Sequence, residues 1–117
     1  MKNLNDYAAE VHKANQKWWH DINTGEYLHR NIGELLMLCV SELSEAMEGY
    51  RKSLKDDKLP QYNMFDVELV DCLIRIFDIA GQRGIDLEQI YKDKQAYNAI
   101  RKDHTKEHRL SINGKKF

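Results

Sequence analysis

The stretch Phe65-Asp-Val-Glu-Leu-Val-Asp-Cys-Leu-Ile-Arg-Ile-Phe-Asp-Ile-Ala80 decides the fold that the sequence predicts. At about 100° per residue, its apolar side chains cover roughly two-thirds of a helical wheel. The narrow remainder carries Glu68, Asp71, Arg75 and Asp78. The pattern therefore predicts a helix that needs extensive burial and concentrates its charges on one strip.

A second apolar stretch, Leu35-Leu-Met-Leu-Cys-Val40, leads directly into Glu42 and Glu45. Residues three apart lie on one face of a helix, so Glu42 is beside Glu45, and Glu68 is beside Asp71. A buried carboxylate without a partner is costly, and the cost disappears if the group binds a metal or faces a wet cleft. One such pair alone would indicate a solvated face, but two pairs in two apolar helices predict a hard-cation site.

The rest of the chain predicts further helices separated by short breaks, and no convincing strand. Residues 53–61, with Pro60, form a polar connection that is short enough to make its flanking helices antiparallel neighbours. The sequence predicts an all-α four-helix bundle in one domain, residues 1–117, with a polar, basic tail from His104 to Phe117. The predicted helices run from Asn5 to about His20, Asn31 to about Lys52, Met64 to Gln82 before Gly84, and Leu87 to about Lys102 after the capping residue Asp86.

The composition of the chain limits the classes of function that it can have. A net charge of −1 over 117 residues argues against general nucleic-acid binding. The longest apolar run, Leu35 to Val40, is too short to span a bilayer, and the N-terminus lacks a signal-peptide core. We therefore expect a cytoplasmic protein, in which Cys39 and Cys72 are reduced and packed.

The fourth predicted helix carries a row of polar side chains at three- or four-residue steps. Tyr91, Lys94, Asn98 and Arg101 place a phenol, an ammonium, an amide and a guanidinium along one face. Such a row suits an anionic phosphate chain, because Lys supplies a point charge and Arg a forked donor. It is also typical of an ordinary solvated basic face.

Three segments in this order resemble the MazG-like, all-α nucleoside triphosphate pyrophosphohydrolases. They are Glu34-Leu-Leu-Met-Leu-Cys-Val-Ser-Glu-Leu-Ser-Glu-Ala-Met-Glu48, Glu68-Leu-Val-Asp-Cys-Leu-Ile-Arg-Ile-Phe-Asp-Ile-Ala80 and Lys94-Gln-Ala-Tyr-Asn-Ala-Ile-Arg101. The ordered combination is more specific than any one segment, and the resemblance covers roughly residues 5–117. One departure is that many members begin the first motif with a double Glu, where this chain has Ser41-Glu42.

The resemblance implies hydrolysis of a nucleoside triphosphate between the α and β phosphates, giving a monophosphate and pyrophosphate, as in housecleaning of the nucleotide pool. Magnesium, or manganese in its place, would be bound by the catalytic carboxylates of Glu42, Glu45, Glu68 and Asp71. Glu45 is the first choice to accept the proton of the attacking water. The predicted substrate-binding residues of the third segment are Lys94, Tyr97, Asn98 and Arg101.

The first predicted helix offers a candidate base pocket, since that helix tends to contribute to base recognition in the family it resembles. His12, Asn15 and Trp19 align at helical spacing, with Gln16 and Trp18 beside them, and supply a ring for stacking and an amide for hydrogen bonding. The alternative is that the Trp pair belongs to the core or to a subunit interface. Asp78 is expected to support the metal site, paired with Arg75; the alternative is an exposed ion pair of little energetic value.

Two rival classes remain open. A di-iron bundle would need Glu-x-x-His pairs, and the only such pattern here is Glu26 to His29, just after a break. A non-enzymatic helical interaction module would use the apolar helices as an oligomer interface and leave the acids on the surface. Either way, the apolar helices predict a homodimer or homotetramer, because a small monomer cannot easily cover them.

Overall fold

The computed structural model describes residues 1–101 and 106–115, and it is all-α, as the sequence predicts. Within that part of the chain, β pairing is limited to two isolated bridges, from His20 to Tyr27 and from Lys55 to Asn63. Contacts divide the chain into two compact units, Met1–Ile85 and Asp86–Phe117. The helices are α1 Leu4–Ala14, α2 Ile32–Arg51, α3 Met64–Arg83, α4 Leu87–Ile100 and the short α5 Lys106–Arg109.

α1 begins with a capping box and ends earlier than predicted. The Asn3 side chain accepts the Asp6 backbone N–H at 3.0 Å, and Asp6 Oδ2 accepts the Asn3 N–H at 2.8 Å, so two otherwise unpaired donors are satisfied. The predicted extension of this helix to about His20 is wrong. The chain leaves the α-helix at Ala14 and tightens into a 3-10 helix over Gln16–Trp19.

α2 and α3 form an antiparallel hairpin, and both helices begin and end within one or two residues of the predicted positions. Asn31 caps α2 by accepting the backbone N–H of Glu34 at 3.0 Å. Gly84 ends α3 in the left-handed conformation, with φ at 66°. In the connection between the helices, Asp56 is buried and its Oδ2 accepts the backbone N–H of Leu59 at 2.7 Å, which folds the polar segment into a tight turn.

Two glycines allow neighbouring helices to approach α3 closely. A Cβ atom on Gly49 of α2 would lie 2.8 Å from the side chain of Met64. A Cβ atom on Gly81 of α3 would lie 2.6 Å from the backbone oxygen of Ala8 in α1. Both distances are shorter than a van der Waals contact, so a larger residue at Gly81 would push α1 and α3 apart, and one at Gly49 would require the Met64 side chain or its helix to shift.

The interior is built largely from small side chains. Cys39 and Cys72 are both buried free thiols, in agreement with the predicted reduced and packed state. Many large apolar side chains of α2 and α3 remain exposed, including Met37 at 61% and Val70 at 51%. The buried apolar residues are Ala8, Trp19, Leu35, Cys39, Ala46, Cys72 and Ala80.

The second unit contains α4 and α5. Asp86 caps α4 as predicted, its side chain accepting the backbone N–H of Gln89 at 3.1 Å. α4 is regular to Ile100, and the predicted end at about Lys102 lies outside the described residues. The predicted tail has some helical structure, since Lys106–Arg109 form α5; residues 104, 105, 116 and 117 lie outside the described residues. Within the described residues, no helix is long and apolar enough to cross a membrane.

Candidate metal centre

Three carboxylates converge where the α2–α3 hairpin brings its two acid motifs together. Glu42 of α2, Glu68 of α3 and Asp71 of α3 each offer one oxygen, and the three atoms lie within 4.8 Å of one another. Glu68 and Asp71 come from the same face of α3, because they are three residues apart. The antiparallel packing places Glu42 opposite them. Three of the four acids predicted from the sequence are therefore close enough to share one cation.

Glu45, the fourth predicted ligand, is placed differently. It is exposed and lies outside the group formed by the other three acids. Its charge still acts on that group, because repulsion from Glu45 contributes to the raised pKa of Glu68. The structure therefore leaves Glu45 beside the cluster, with its carboxylate accessible to solvent.

Glu68 is the most constrained acid of the cluster. It is only 7% exposed, and its Oε2 is buried without a hydrogen-bond partner among the described residues. A hydrogen bond with Glu42, burial, and repulsion from Glu42, Asp71 and Glu45 together raise the pKa of Glu68 to about 8. An unpaired buried acceptor costs about 1–3 kcal/mol. A positive ligand at this point would remove that cost.

The pKa values of the other two acids, Glu42 and Asp71, are shifted in opposite directions. Burial works to raise the pKa of Glu42, but its hydrogen bond with Glu68 and the bond and charge of Arg75 outweigh burial, so its pKa is lowered. Burial and repulsion from Glu42 raise the pKa of Asp71. The cluster thus holds one acid that ionises readily beside two that resist ionisation, as expected where carboxylates are crowded together without enough positive charge.

Arg75 supplies the nearest positive charge, but to a different acid from the one predicted. Its Nε donates to Glu42 Oε1 at 2.9 Å. The predicted pairing of Arg75 with Asp78 is wrong, because Asp78 is buried and already holds other donors. His12 Nδ1 lies 2.8 Å from Asp78 Oδ1, and Trp19 Nε1 donates to both Asp78 oxygens at 3.1 Å.

The Asp78 contacts fix the N-terminal segment against α3. Gln16 Nε2 lies 2.8 Å from His12 Nε2, so each ring nitrogen of His12 has a partner. Trp19 is 2% exposed, and its ring faces protein on all sides, including the guanidinium of Arg30 at 5.0 Å from the ring centroid. Two of the predicted base-pocket residues, His12 and Trp19, are therefore engaged with Asp78, and Trp19 presents no open face for stacking.

An open cleft of about 620 Å³ adjoins the carboxylate cluster, within the range of small-molecule sites. Of the predicted base-pocket residues, Asn15 lines it directly. Trp18, which is 56% exposed, offers an aromatic surface there in place of Trp19. The cleft is lined by Asn15, Trp18, Arg30, Glu42, Asp71, Ile74, Arg75 and Asp78.

Two cations that line this cleft, Arg30 and Arg75, are not among the substrate-binding residues predicted from the sequence. Arg75 could have been found from its spacing, since it stands four residues after Asp71 and so lies on the same face of α3. Arg30 precedes the cap residue of α2 in an irregular segment. No periodic pattern there indicates where its side chain points.

The predicted phosphate-binding residues of α4 lie together in the second unit. Lys94 Nζ is 5.3 Å and Arg101 Cζ is 5.7 Å from the ring centroid of Tyr97, so the ring lies close to both cations. Asn98 Oδ1 is buried and has no hydrogen-bond partner among the described residues. The proximity of this group to the carboxylates stays a prediction, because the carboxylates belong to the first unit.

The donor set fits a hard divalent cation. Carboxylate oxygens are the ligands that Mg²⁺ and Mn²⁺ prefer, and Mg²⁺ usually keeps several waters beside a few protein ligands. Three converging oxygens, with a buried and unpartnered Oε2 on Glu68, meet that requirement on the wall of a cleft that can admit a ligand. No protein-family model, curated protein or solved structure matches the chain, so the MazG-like resemblance stays a prediction.

Proposed function

We propose that this chain is a magnesium-dependent nucleoside triphosphate pyrophosphohydrolase that cleaves between the α and β phosphates. The observation that carries the proposal is the convergence of Glu42, Glu68 and Asp71 beside an open cleft, with one buried oxygen of Glu68 unpartnered. A structural role alone would leave this buried oxygen of Glu68 unpaired at a cost to stability, which a bound cation would offset. The motif order that resembles MazG-like enzymes supplies the reaction class.

The acidic residues would divide two tasks. Glu42, Glu68 and Asp71 would hold Mg²⁺, or Mn²⁺ in its place. When bound, the metal would neutralise charge on the triphosphate and lower the pKa of the attacking water. Glu45 is close enough to repel Glu68 and is exposed, so its carboxylate is our candidate to accept the proton of that water.

The cleft residues would bind the rest of the nucleotide. Trp18 is exposed on the cleft wall and would stack on the base, while the amide of Asn15 would hydrogen-bond its edge. Arg30 would contact the phosphates from the same cleft. We expect Lys94, Tyr97, Asn98 and Arg101 of α4 to add further phosphate contacts, as the resemblance implies.

We also propose that the protein is a homodimer or homotetramer. α2 and α3 expose apolar side chains along much of their length, which a soluble protein normally covers. Sedimentation should therefore show a species larger than the 13.8 kDa chain. A stable monomer at micromolar concentration would contradict the assembly without bearing on the chemistry. The exposed apolar residues of the two helices are Ile32, Leu36, Met37, Val40, Leu43, Met47, Tyr50, Leu69, Val70, Leu73, Ile74 and Ile76.

The same exposed surface favours one alternative, a non-enzymatic helical interaction module. In that case the chain would assemble but release no pyrophosphate from any nucleotide, and Glu42→Gln would leave its behaviour unchanged. The two proposals differ in whether the behaviour of the protein depends on the acidic side chains, because only the enzyme needs them ionised.

The decisive experiment incubates the protein with a panel of deoxy- and ribonucleoside triphosphates and Mg²⁺ and identifies the products. We expect a monophosphate and pyrophosphate, at least 100-fold less of both with Glu42→Gln or Asp71→Asn, and no product in excess EDTA. Glu34→Gln is the matched control, since Glu34 lies in the first turn of α2, away from the cluster. Release of orthophosphate alone would reject α–β cleavage.

A further inference from the structure

Arg75 stands in the cleft wall between two acidic positions of its own helix. It follows Asp71 by four residues and precedes Asp78 by three, and all three residues line the cleft. Its Nε donates to Glu42 Oε1 at 2.9 Å across the hairpin. The pair is uneven in exposure, since the Arg75 side chain is 38% exposed and that of Glu42 is 14% exposed.

The contact uses little of what a guanidinium can donate. Arg carries five N–H donors in a fork, and strong pairs with carboxylates usually use two parallel bonds. Here the bond from Nε to Glu42 is the one hydrogen bond that Arg75 donates to the residues that the structure describes. Because the side chain lines the cleft and is more than one-third exposed, its other donors are open to a ligand.

A cation at the carboxylate cluster would compete with this bond. Glu42 is one of the three acids whose oxygens lie within 4.8 Å of one another, and it is the one that Arg75 holds. A divalent ion at that point would bind the same carboxylate and repel the guanidinium beside it. An anionic phosphate in the cleft would be the nearest favourable partner for the displaced side chain.

We infer that Arg75 exchanges partners during binding: it holds Glu42 in the metal-free protein and turns to a nucleotide phosphate once a divalent cation occupies that carboxylate. The first half depends only on the metal centre. The second half rests on the proposed function, because it needs a phosphorylated ligand in the cleft. Arg75 would thus be a substrate-binding residue that also offsets the negative charge of Glu42 whenever no cation is bound there.

The test of the first half measures Mn²⁺ binding by titration calorimetry at pH 8, without nucleotide. Arg75→Gln removes the competing cation, so we expect it to bind Mn²⁺ about two- to fivefold more tightly than the wild type, the range for a partly exposed ion pair. Arg83→Gln is the matched control, since Arg83 is exposed in the last turn of the same helix. A merely structural Arg75 would give the opposite sign, because its loss would loosen the cluster.

The test of the second half measures binding of the α,β-imido analogues of the four deoxynucleoside triphosphates at saturating Mn²⁺. We expect Arg75→Gln to bind the preferred analogue about tenfold more weakly, the loss of one charge-assisted phosphate contact. Arg75→Lys should recover part of that affinity, because it keeps the charge but not the fork. Circular dichroism at the working temperature checks that each variant is folded.

The outcomes separate the inference from the proposed function. Unchanged or weaker Mn²⁺ binding by folded Arg75→Gln overturns the inference, even if the wild type releases pyrophosphate normally. Tighter Mn²⁺ binding together with weaker analogue binding supports it, even if the wild type hydrolyses no nucleotide, in which case only the proposed reaction fails. Tighter Mn²⁺ binding with unchanged analogue binding overturns the exchange of partners.

Discussion

Replacing Glu68 by Gln should stabilise the metal-free protein while removing its metal site. The pKa of Glu68 is raised from 4.5 to about 8, so the folded protein holds a proton that the unfolded chain releases between those pH values. The contribution of this proton to folding stability is fully present below about pH 4.5 and is lost as the pH rises towards 8. Gln at this position cannot ionise, so the variant avoids that loss.

The magnitude follows from the pKa change. At about 1.4 kcal/mol for each unit of pKa, the full difference corresponds to roughly 5 kcal/mol. The lowered pKa of Glu42 in the same pair works in the other direction, so the net gain at pH 8.5 is smaller than this value. For a chain of this size, each kcal/mol of net gain raises the unfolding temperature by roughly 3–6 °C.

The assay is thermal unfolding in EDTA at pH 4.5 and pH 8.5, followed by circular dichroism. The variant and the wild type should unfold at similar temperatures at pH 4.5 and diverge at pH 8.5. Added Mg²⁺ should raise the unfolding temperature of the wild type only. Glu45→Gln, at the exposed position, should change stability by less than ~0.5 kcal/mol at either pH. A Glu68→Gln protein that is equally destabilised at both pH values would refute the electrostatic reasoning.

Three further predictions concern other parts of the first unit. Asp78→Ala leaves the buried indole N–H of Trp19 without an acceptor and removes the partner of the part-buried His12 ring, so urea unfolding should show a loss of about 2–3 kcal/mol. Gly49→Ala places a Cβ 2.8 Å from Met64 and should cost about 1–3 kcal/mol in the same assay, whereas no loss would mean that the side chain of Met64 moves aside. Trp18→Ala should weaken binding of a nonhydrolysable nucleotide by about tenfold, with stability changed by less than ~0.5 kcal/mol; unchanged affinity would exclude stacking on this ring.

Helix positions could be predicted well because their signals are local. Asn31, Gly84 and Asp86 stand at the ends of helices, and each acts through its own side chain or its own backbone freedom. The end of α1 could not be predicted in the same way. Asp21 and Gly25 mark a break, but the chain leaves the α-helix several residues earlier, at Ala14, where the contacts of Trp19 with distant Asp78 favour a tighter turn.

Only part of the candidate site could be predicted, because the rest depends on contacts between distant residues. Spacing places Glu68 beside Asp71 on one helix, but it does not say which member of the Glu42 and Glu45 pair faces the neighbouring helix. Residues three apart differ by about 60° around the helix axis, so one of a pair can face its neighbour while the other faces solvent. The partner of Arg75 could not be predicted from the sequence either. The choice between an acid on its own helix and Glu42 across the hairpin depends on packing.

The sparse interior has a consequence for how the protein unfolds. Among the residues that the structure describes, the buried apolar side chains are mostly Ala and Cys, with Trp19 and Leu35 as the large ones. Small side chains remove little apolar area from water, so these fully buried residues contribute little free energy to the folding of one copy. We expect its melting temperature to rise with the amount of protein in the sample, and a melting temperature independent of dilution would mean that each copy folds unaided.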